Sequence, residues 1–447
     1  MRASFHTLGC KVNQYETEAM KEQFKAAGFD IVSEDDAADV YIINTCTVTG
    51  IADRKSRQYI RKMKRVSPDA VVAVCGCYSQ VSPEDLMEMP EVDIVTGNGE
   101  KEKLIGLVQD VLSGKREKHF SEILPYDRLT EYKENGIIFS MEGRTRAFIK
   151  IQEGCDRFCA YCLIPFARGH VRSRNPEEVI REAKALIERG FREIVLTGIN
   201  TALYGTEAGF TYEPKSDEYD ENGMPFTGIE LIIKRISEID GDFRIRLSSL
   251  EPTVVNAGYV SRLMKYDRLC HHLHLSIQSG STDIIKKMNR HYTRDEYLDI
   301  VKVLRECDPG YGITTDMIVG FPEETDEDFN DSLKMVSQAE FAKVHAFKYS
   351  KRKGTKAASM KNQVPGEAKN SRLDLLKERA EEASASFMES LTGTERIVLF
   401  EEFVDGHITG YADNYIKVYA DGTEDDLNEL IKVKLTEIYK DGMKGEF

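Results

Sequence analysis

Three apolar runs near the start of the chain, ASFHTLG, DVYIINT and AVVAVCG, are each followed at once by a cysteine and then by a stretch with helical spacing. Strands that alternate with helices build a parallel, doubly wound sheet, because each crossover returns the next strand in the same direction. The carboxyl ends of all strands then share one edge, which is where such sheets bind ligands. Cys10, Cys46 and Cys77 are therefore expected to meet at that edge, far apart though they are in the chain. Cys75 lies two residues before Cys77 and still within its apolar run. It is expected to pack, while Cys77, in the turn past the strand, is the expected ligand.

Residues 114–143 read as a polar, irregular connection, after which a second alternating block begins. TRAFIKIQ, EIVLTG, RIRLSS, HLHLSI, ITTDMIVG and KVHAFKYS are expected strands separated by helical stretches. The first of those helices is well marked. Asn175 caps it, Pro176 takes its first position, Val179, Ala183 and Leu186 or Ile187 form its apolar stripe, and Gly190 ends it. Strands in that order predict a central, partial (β/α)6 barrel with its chemistry at the carboxyl ends of the strands. The loops delivered there are CDRFCAYC, TGIN, SSLEP and IQSGS. Residues 207–227 form a long polar insertion with a weak core signal, and a helix is expected at about 365–391. Beyond it, ERIVLFEEF, GHITGYADNYIKVYA and LIKVKLTEIY alternate by twos between turn signals. They predict a small antiparallel β-barrel of the oligonucleotide-binding kind, or a plain β appendage. The fold class is thus α/β and multi-domain.

The window CDRFCAYC places Cys155, Cys159 and Cys162 within eight residues. The nine cysteines of the chain are an odd number, and the long chain does not need staples, so metal ligation is favoured over disulfides. A structural zinc would need four ligands, and His170 is the nearby candidate for the fourth. Thiolates are also the customary ligands of iron–sulfur clusters. Three of them on a [4Fe–4S] cube leave one iron open, able to chelate the amino and carboxylate groups of S-adenosylmethionine. The spacing Cys-x3-Cys-x2-Cys, with Tyr161 before the last cysteine, is the signature of the radical-SAM superfamily. Cys10, Cys46 and Cys77 repeat the logic and suggest a second open cluster, with sulfur as the obvious thing for it to hold.

A net charge of −15 argues against a protein that coats nucleic acid with one basic surface. Basic residues nevertheless cluster in RKSRQYIRKMKRV, RGHVRSR and KYSKRKGTK, which makes local contact with nucleic acid plausible. No apolar run is long enough to span a bilayer, and the opening MRASFHTLGC has no signal-peptide core, so a cytoplasmic location without membrane contact is expected.

HTLGCKVNQYETE, NTCTVT with ADRKSR, GCYSQ, IQEGCDRFCAYCLIPFARG, LTGIN, LHLSIQSGS, DMIVGFPEET and YSKRKGT together resemble the radical-SAM methylthiotransferase family over nearly the whole chain. The opening TLGCKVNQYE is most similar to the bacterial branch acting on N6-threonylcarbamoyladenosine at position 37 of tRNA. The resemblance implies a cluster-binding domain at 1–113, a linker at 114–143, a radical-SAM core at 144–375 and a TRAM-like domain with its leading helix at 376–447. Cys155, Cys159 and Cys162 would be catalytic and hold the radical-generating cluster; Cys10, Cys46 and Cys77 would hold an auxiliary [4Fe–4S] cluster. One S-adenosylmethionine would methylate a cluster-bound sulfur, and a second would yield the 5′-deoxyadenosyl radical. Gly198, Asn200, Ser249, Glu251 and Gln278 are candidates for contact with S-adenosylmethionine, or else loop residues with local hydrogen bonds. Arg168, Arg172, Arg174 and Lys417 are candidates for phosphates of the tRNA anticodon stem-loop, with Lys432 and Lys434 also in the tail. An electron donor such as flavodoxin or ferredoxin and a separate sulfur donor would be needed. The alternatives are methylthiolation of isopentenyladenosine 37 or of a ribosomal protein S12 aspartate, and a non-enzymatic iron–sulfur protein that binds RNA or relays electrons.

Overall fold

The computed structural model describes residues 1–133, 145–220, 223–226, 228–252 and 255–447. The last ten residues of the expected connection 114–143 lie outside them. The chain divides into two compact units, each described separately here. One holds the N-terminal sheet together with Gln152–Arg174 and Ser350–Ala358; the other holds Asn175–Tyr349 and Ser359–Phe447.

The N-terminal sheet has six strands: β1 (Arg2–Thr7), β2 (Asp30–Val32), β3 (Val40–Thr45), β4 (Val71–Gly76), β5 (Ile94–Thr96) and β6 (Phe120–Glu122). All its pairings are parallel, in the order β2-β1-β3-β4-β5-β6. β6 forms the outer strand from residues expected to be irregular; three residues are too few to show a period. β3 and β4 are buried along their whole length, as continuous Val/Ile runs covered on both faces should be. Alternation sends Val40, Ile42, Val71, Ala73 and Cys75 to one face, with Phe5, Met20 and Phe24. Tyr41, Ile43, Val72 and Val74 go to the other, with Ile60 and Met63. The strand order reverses at β1, so the ends of β1 and β3 flank the switch point where doubly wound sheets open a crevice.

In the central region, β7 (Arg146–Glu153), β8 (Arg172–Ser173), β9 (Glu193–Gly198) and β10 (Arg244–Leu247) form one sheet in the order β10-β9-β7-β8. β11 (Ser249–Leu250), β12 (His272–Leu275), β13 (Gly312–Val319) and β14 (Lys343–Lys348) form a second. The expected strand RIRLSS is divided at Ser248. Before it, β10 pairs with β9; after it, β11 pairs with β12. The helix Pro176–Glu188 forms as read, with the Asn175 side chain accepting from the Glu177 N–H.

The helix Gly366–Ser390 runs through the expected domain boundary at 375/376 and leads to the tail. There β15 (Glu395–Val404), β16 (His407–Ala412), β17 (Lys417–Ala420), β18 (Leu430–Tyr439) and β19 (Gly442–Glu446) close into a barrel in the order β15-β16-β17-β19-β18. The barrel is not wholly antiparallel, as its sequence had suggested: β17 and β19 run parallel. A ring with an odd number of strands cannot alternate direction all the way round, so one parallel pair is unavoidable.

The barrel is fastened to the central strands by buried charge. Arg244 donates to the carbonyls of Ile397 and Tyr411, and Arg246 to those of Ala412 and Asp413. Both arginines also bind Glu193. Burial opposes ionisation of Glu193, but Arg246 and Arg244 overcome it and hold its carboxyl well below the usual range. Asp308 similarly bridges His271 and the barrel's Arg396. Among the described residues, no helix is long and apolar enough to cross a membrane.

The hydrogen bond that His271 donates to the Asp308 carboxylate raises its pKa above the ordinary value near 6.5. A raised folded-state pKa gives stability that is complete below the unfolded value and is lost as pH rises through the folded one. The melting temperature should therefore fall as pH is raised from about 6.5, and His271→Asn should flatten that part of the profile.

Candidate functional site

β1, β3 and β4 deliver their cysteines as expected. Cys10 caps the helix Lys11–Ala26, Cys46 follows Thr45 directly, and Cys77 opens the short helix Cys77–Val81. Two glycines make the crowding possible. Gly9 has φ +107°, and a Cβ on it would lie 2.9 Å from the Cys46 sulfur. Gly76 has φ +101°, and a Cβ there would lie 2.4 Å from the Thr45 carbonyl oxygen. Asn13 donates to the carbonyls of Leu8 (2.7 Å) and Thr45 (3.0 Å), so the first two turns are tied together. Cys75 points into the apolar core with Ala73 and Val71, as its place on the strand requires. Burial raises its pKa to about 11. Burial, and then the neighbouring Cys77, raise that of Cys46 to about 12. A soft metal must displace such protons on binding.

The loop between β7 and the short helix Ile164–Arg168 carries Cys155, Cys159 and Cys162, all half-buried. Cys155 N–H donates to Gly169, Cys162 N–H to Cys159, and the Cys162 sulfur accepts from the Ile164 N–H at 3.4 Å. Gly154 (φ +74°) admits the close return of the chain, since a Cβ there would overlap the His170 carbonyl. His170, the candidate fourth zinc ligand, is 2.7 Å from Asp156. Among the described residues, no three His, Cys, Asp or Glu side chains converge tightly enough to hold a single ion. A [4Fe–4S] cube, whose irons alternate with sulfides, would take its thiolates from wider apart, and an all-thiolate donor set suits it. Both triads, six cysteines in all, belong to the same compact unit.

Between the triads lies a buried charge cluster that the sequence did not reveal. The Arg168 guanidinium donates from Nε to the Cys77 sulfur (3.4 Å), from Nη1 to Glu16 and Glu153 (2.7 Å), and from Nη2 to Asn13 and Glu16. Lys101 also binds Glu16, and Arg172 lies 3.5 Å from Glu153. Three cations thus face two carboxylates, a surplus of one positive charge that a ligating Cys77 thiolate would neutralise. Burial would lower the pKa of Arg168, but Glu16, and then Cys77 and Glu153, hold it firmly protonated.

That arrangement corrects the expectation for three arginines. Arg168 and Arg174 are fully buried and Arg172 nearly so. Arg172 donates to the carbonyls of Leu129, Arg168 and His170, and Arg174 to the Tyr15 hydroxyl. They are internal struts, out of reach of phosphates. Lys417 is half-buried on β17, 4.9 Å from the centre of the Tyr419 ring and 3.5 Å from Asp441.

In the second unit, Gly198 ends β9 and Asn200 follows it, donating to Glu251 at 2.7 Å. Glu251 is also 3.8 Å from Arg290. The Ser249 carbonyl accepts from Thr201, and Gln278 adopts φ +68° just past β12, its backbone bonded to Asp316 and Ile318. Beside them runs a polar row not anticipated from sequence. His274 lies 3.2 Å from Asp316 and 3.1 Å from Ser276, with His345 next to it. The alternation of His272 with His274, and of Thr314 with Asp316, was its signal: a polar face on strands otherwise apolar.

Comparison with known proteins accounts for both halves of this arrangement. Residues 2–97 match the model of Uncharacterized protein family UPF0004, and residues 149–336 that of the Radical SAM superfamily. The chain is 38% identical to the threonylcarbamoyladenosine tRNA methylthiotransferase MtaB of Bacillus subtilis, over 99% of this chain and 96% of that one. It belongs to the radical-SAM methylthiotransferase family. Relatives of that family include the MtaB of Thermotoga maritima, 39% identical over 92% of this chain and 89% of the relative. The tRNA-2-methylthio-N(6)-dimethylallyladenosine synthase of Clostridium novyi is 34% identical over 98% and 95%. In fold, this methylthiotransferase is similar to the radical S-adenosylmethionine methyltransferase TsrM of Kitasatospora setae (TM-score 0.56, 13% identity, 91% of this chain and 80% of that one).

The segment Ser350–Ala358 is tied to both cysteine-bearing regions of this unit. Arg352 donates to the Thr47 hydroxyl and the Asp53 carboxylate, both at 2.6 Å, beside Cys46. Ala357 N–H donates to the Ala160 carbonyl, inside the triple-cysteine loop. Arg352→Ala should remove roughly 1.5–3 kcal/mol of local stability. Hydrogen exchange should speed up at the amides of 47–53 and stay unchanged in the C-terminal barrel.

Proposed function

We propose that this methylthiotransferase adds a methylthio group to C2 of N6-threonylcarbamoyladenosine at position 37 of tRNA. The observation that carries the reading is the ranking of its relatives. Four enzymes named for threonylcarbamoyladenosine are 35–39% identical, against 32–34% for four dimethylallyladenosine synthases, all over nearly the full chain. The two cysteine triads in one unit support a pair of [4Fe–4S] clusters.

Cys155, Cys159 and Cys162 hold one cluster beside S-adenosylmethionine, and Cys10, Cys46 and Cys77 hold the auxiliary one. When bound, these groups supply the electron that cleaves S-adenosylmethionine and the sulfur that is transferred. The protein's own residues orient and exclude. Gly9 and Gly76 let three thiolates meet, and Cys75 stays in the core. Six strands, β7, β9, the divided β10–β11, β12, β13 and β14, are read as the partial (β/α)6 wall of the 144–375 core. At its carboxyl edge the Asn200–Glu251–Arg290 chain, with Gly198, Ser249 and Gln278, presents fixed polar groups to S-adenosylmethionine.

The 376–447 domain is read as the TRAM module that grips the anticodon stem-loop. Its surface interleaves cations with aromatic rings: Lys417 and Lys440 over Tyr419, Lys440 and Lys444 over Tyr439, and Tyr419 edge-on to Tyr439. Lysines paired there with exposed carboxylates can exchange them for phosphates at little cost, and the part-exposed Tyr439 ring can stack a splayed base while the buried Tyr419 supports it. A cytoplasmic setting would supply the tRNA, a flavodoxin- or ferredoxin-type electron donor and a sulfur donor.

Nucleosides of tRNA from cells lacking the protein should lose 2-methylthio-threonylcarbamoyladenosine and keep the isopentenyl form; the reverse result would overturn the assignment. In purified protein reconstituted without oxygen, roughly eight irons per chain are expected. Cys46→Ala and Cys77→Ala should each halve that content, and Cys75→Ala should leave it whole.

A further inference from the structure

Arg168 stands six residues after the last cysteine of one triad, yet its side chain ends at a cysteine of the other. Its five N–H groups have five acceptors: the Cys77 sulfur, both oxygens of Glu16, one of Glu153 and the Asn13 side-chain carbonyl. A planar fork with every donor engaged cannot turn, so the Nε–H is fixed on the sulfur. Asn98 supplies a second, longer approach to that sulfur (3.8 Å) while its Nδ2 donates to the Ala167 carbonyl. The guanidinium is fully buried, where solvent screens its charge least.

We propose that Arg168 is a positioning residue that sets the reduction potential of the auxiliary cluster through Cys77. The inference rests on the reading of Cys77 as a ligand. Reduction adds one electron from an external one-electron donor to the cube; no bond breaks and no proton moves, because Arg168 stays protonated throughout. The added negative charge is stabilised by a hydrogen bond to a ligand sulfur and by a cation beside it, so Arg168 raises the potential. Glu16, on the far side of the same guanidinium, lowers it. The two side chains therefore make opposite demands, which damage to the fold would not reproduce.

The test uses the full chain carrying Cys155→Ala, Cys159→Ala and Cys162→Ala, reconstituted anaerobically so that the auxiliary cluster alone remains. Its redox titration is followed by electron paramagnetic resonance. Arg168→Gln should lower the ratio of reduced to oxidised cluster at a fixed potential about tenfold, that is about 59 mV for one electron. Glu16→Gln should move it the other way, and Arg168→Lys, which keeps the charge but not the fork, should fall between wild type and Arg168→Gln. An unchanged midpoint in Arg168→Gln at full iron content, or shifts of the same sign in Arg168→Gln and Glu16→Gln, would overturn the proposal. If Arg168→Gln does not fold, Glu16→Gln decides alone: an upward shift supports the proposal and no shift overturns it. Cys77→Ala in the same background separates the two readings. Retention of iron and spectrum there refutes the ligand assignment itself, whatever Arg168 does.

Discussion

The buried ion cluster of Glu16, Lys101, Glu153 and Arg168 joins four segments of sequence inside one compact unit. Glu16 comes from the helix after Cys10, Lys101 from the turn after β5, and Glu153 and Arg168 from either side of the triple-cysteine loop. Buried ion pairs add little net stability, since desolvation offsets most of the attraction. Removing one member is costly, however, and the angular demands of a guanidinium leave few alternative arrangements. The cluster is therefore better understood as a specification of geometry. It dictates where the triple-cysteine loop lies relative to Cys77.

Two glycine turns and one strap serve the same end by other means. Gly9 and Gly76 let the backbone pass where a Cβ would strike Cys46 or Thr45, and Arg352 draws in the segment just past Cys46. The sheet supplies only a common edge for its strand ends. The local path of the chain at each of those ends is decided by these close approaches.

An acidic chain that handles nucleic acid needs its positive charge placed with care. Here some of the basic charge is internal: Arg168, Arg172, Arg174, Arg244 and Arg246 are all buried. Other cations stay outside, among them Lys440 and Lys444 around Tyr439 on the barrel and Arg54, Lys55, Arg61, Lys62 and Arg65 on the helix Gly50–Val66. The run RGHVRSR was thus a poor guide to contact, whereas most cations of RKSRQYIRKMKRV do face outward. A short basic segment has no period that tells an outward arginine from one bonded to carbonyls.

The order of strands and helices, the two cysteine triads and the closing β module were legible from the sequence because each depends on neighbours within a few residues: apolar period, caps, turn residues and thiol spacing. The inward role of Cys75 was legible for the same reason, through the alternation of a strand. The division of RIRLSS between two sheets, the parallel pair in the barrel, the inward arginines and the polar row around His274 were decided by tertiary structure. Each depends on what lies across the chain: which strand pairs on either side of Ser248, how an odd ring closes, and which carboxylates and carbonyls are buried within reach of a guanidinium. Burial of charge is favourable only when its partners are already in place, and those partners are set by the fold.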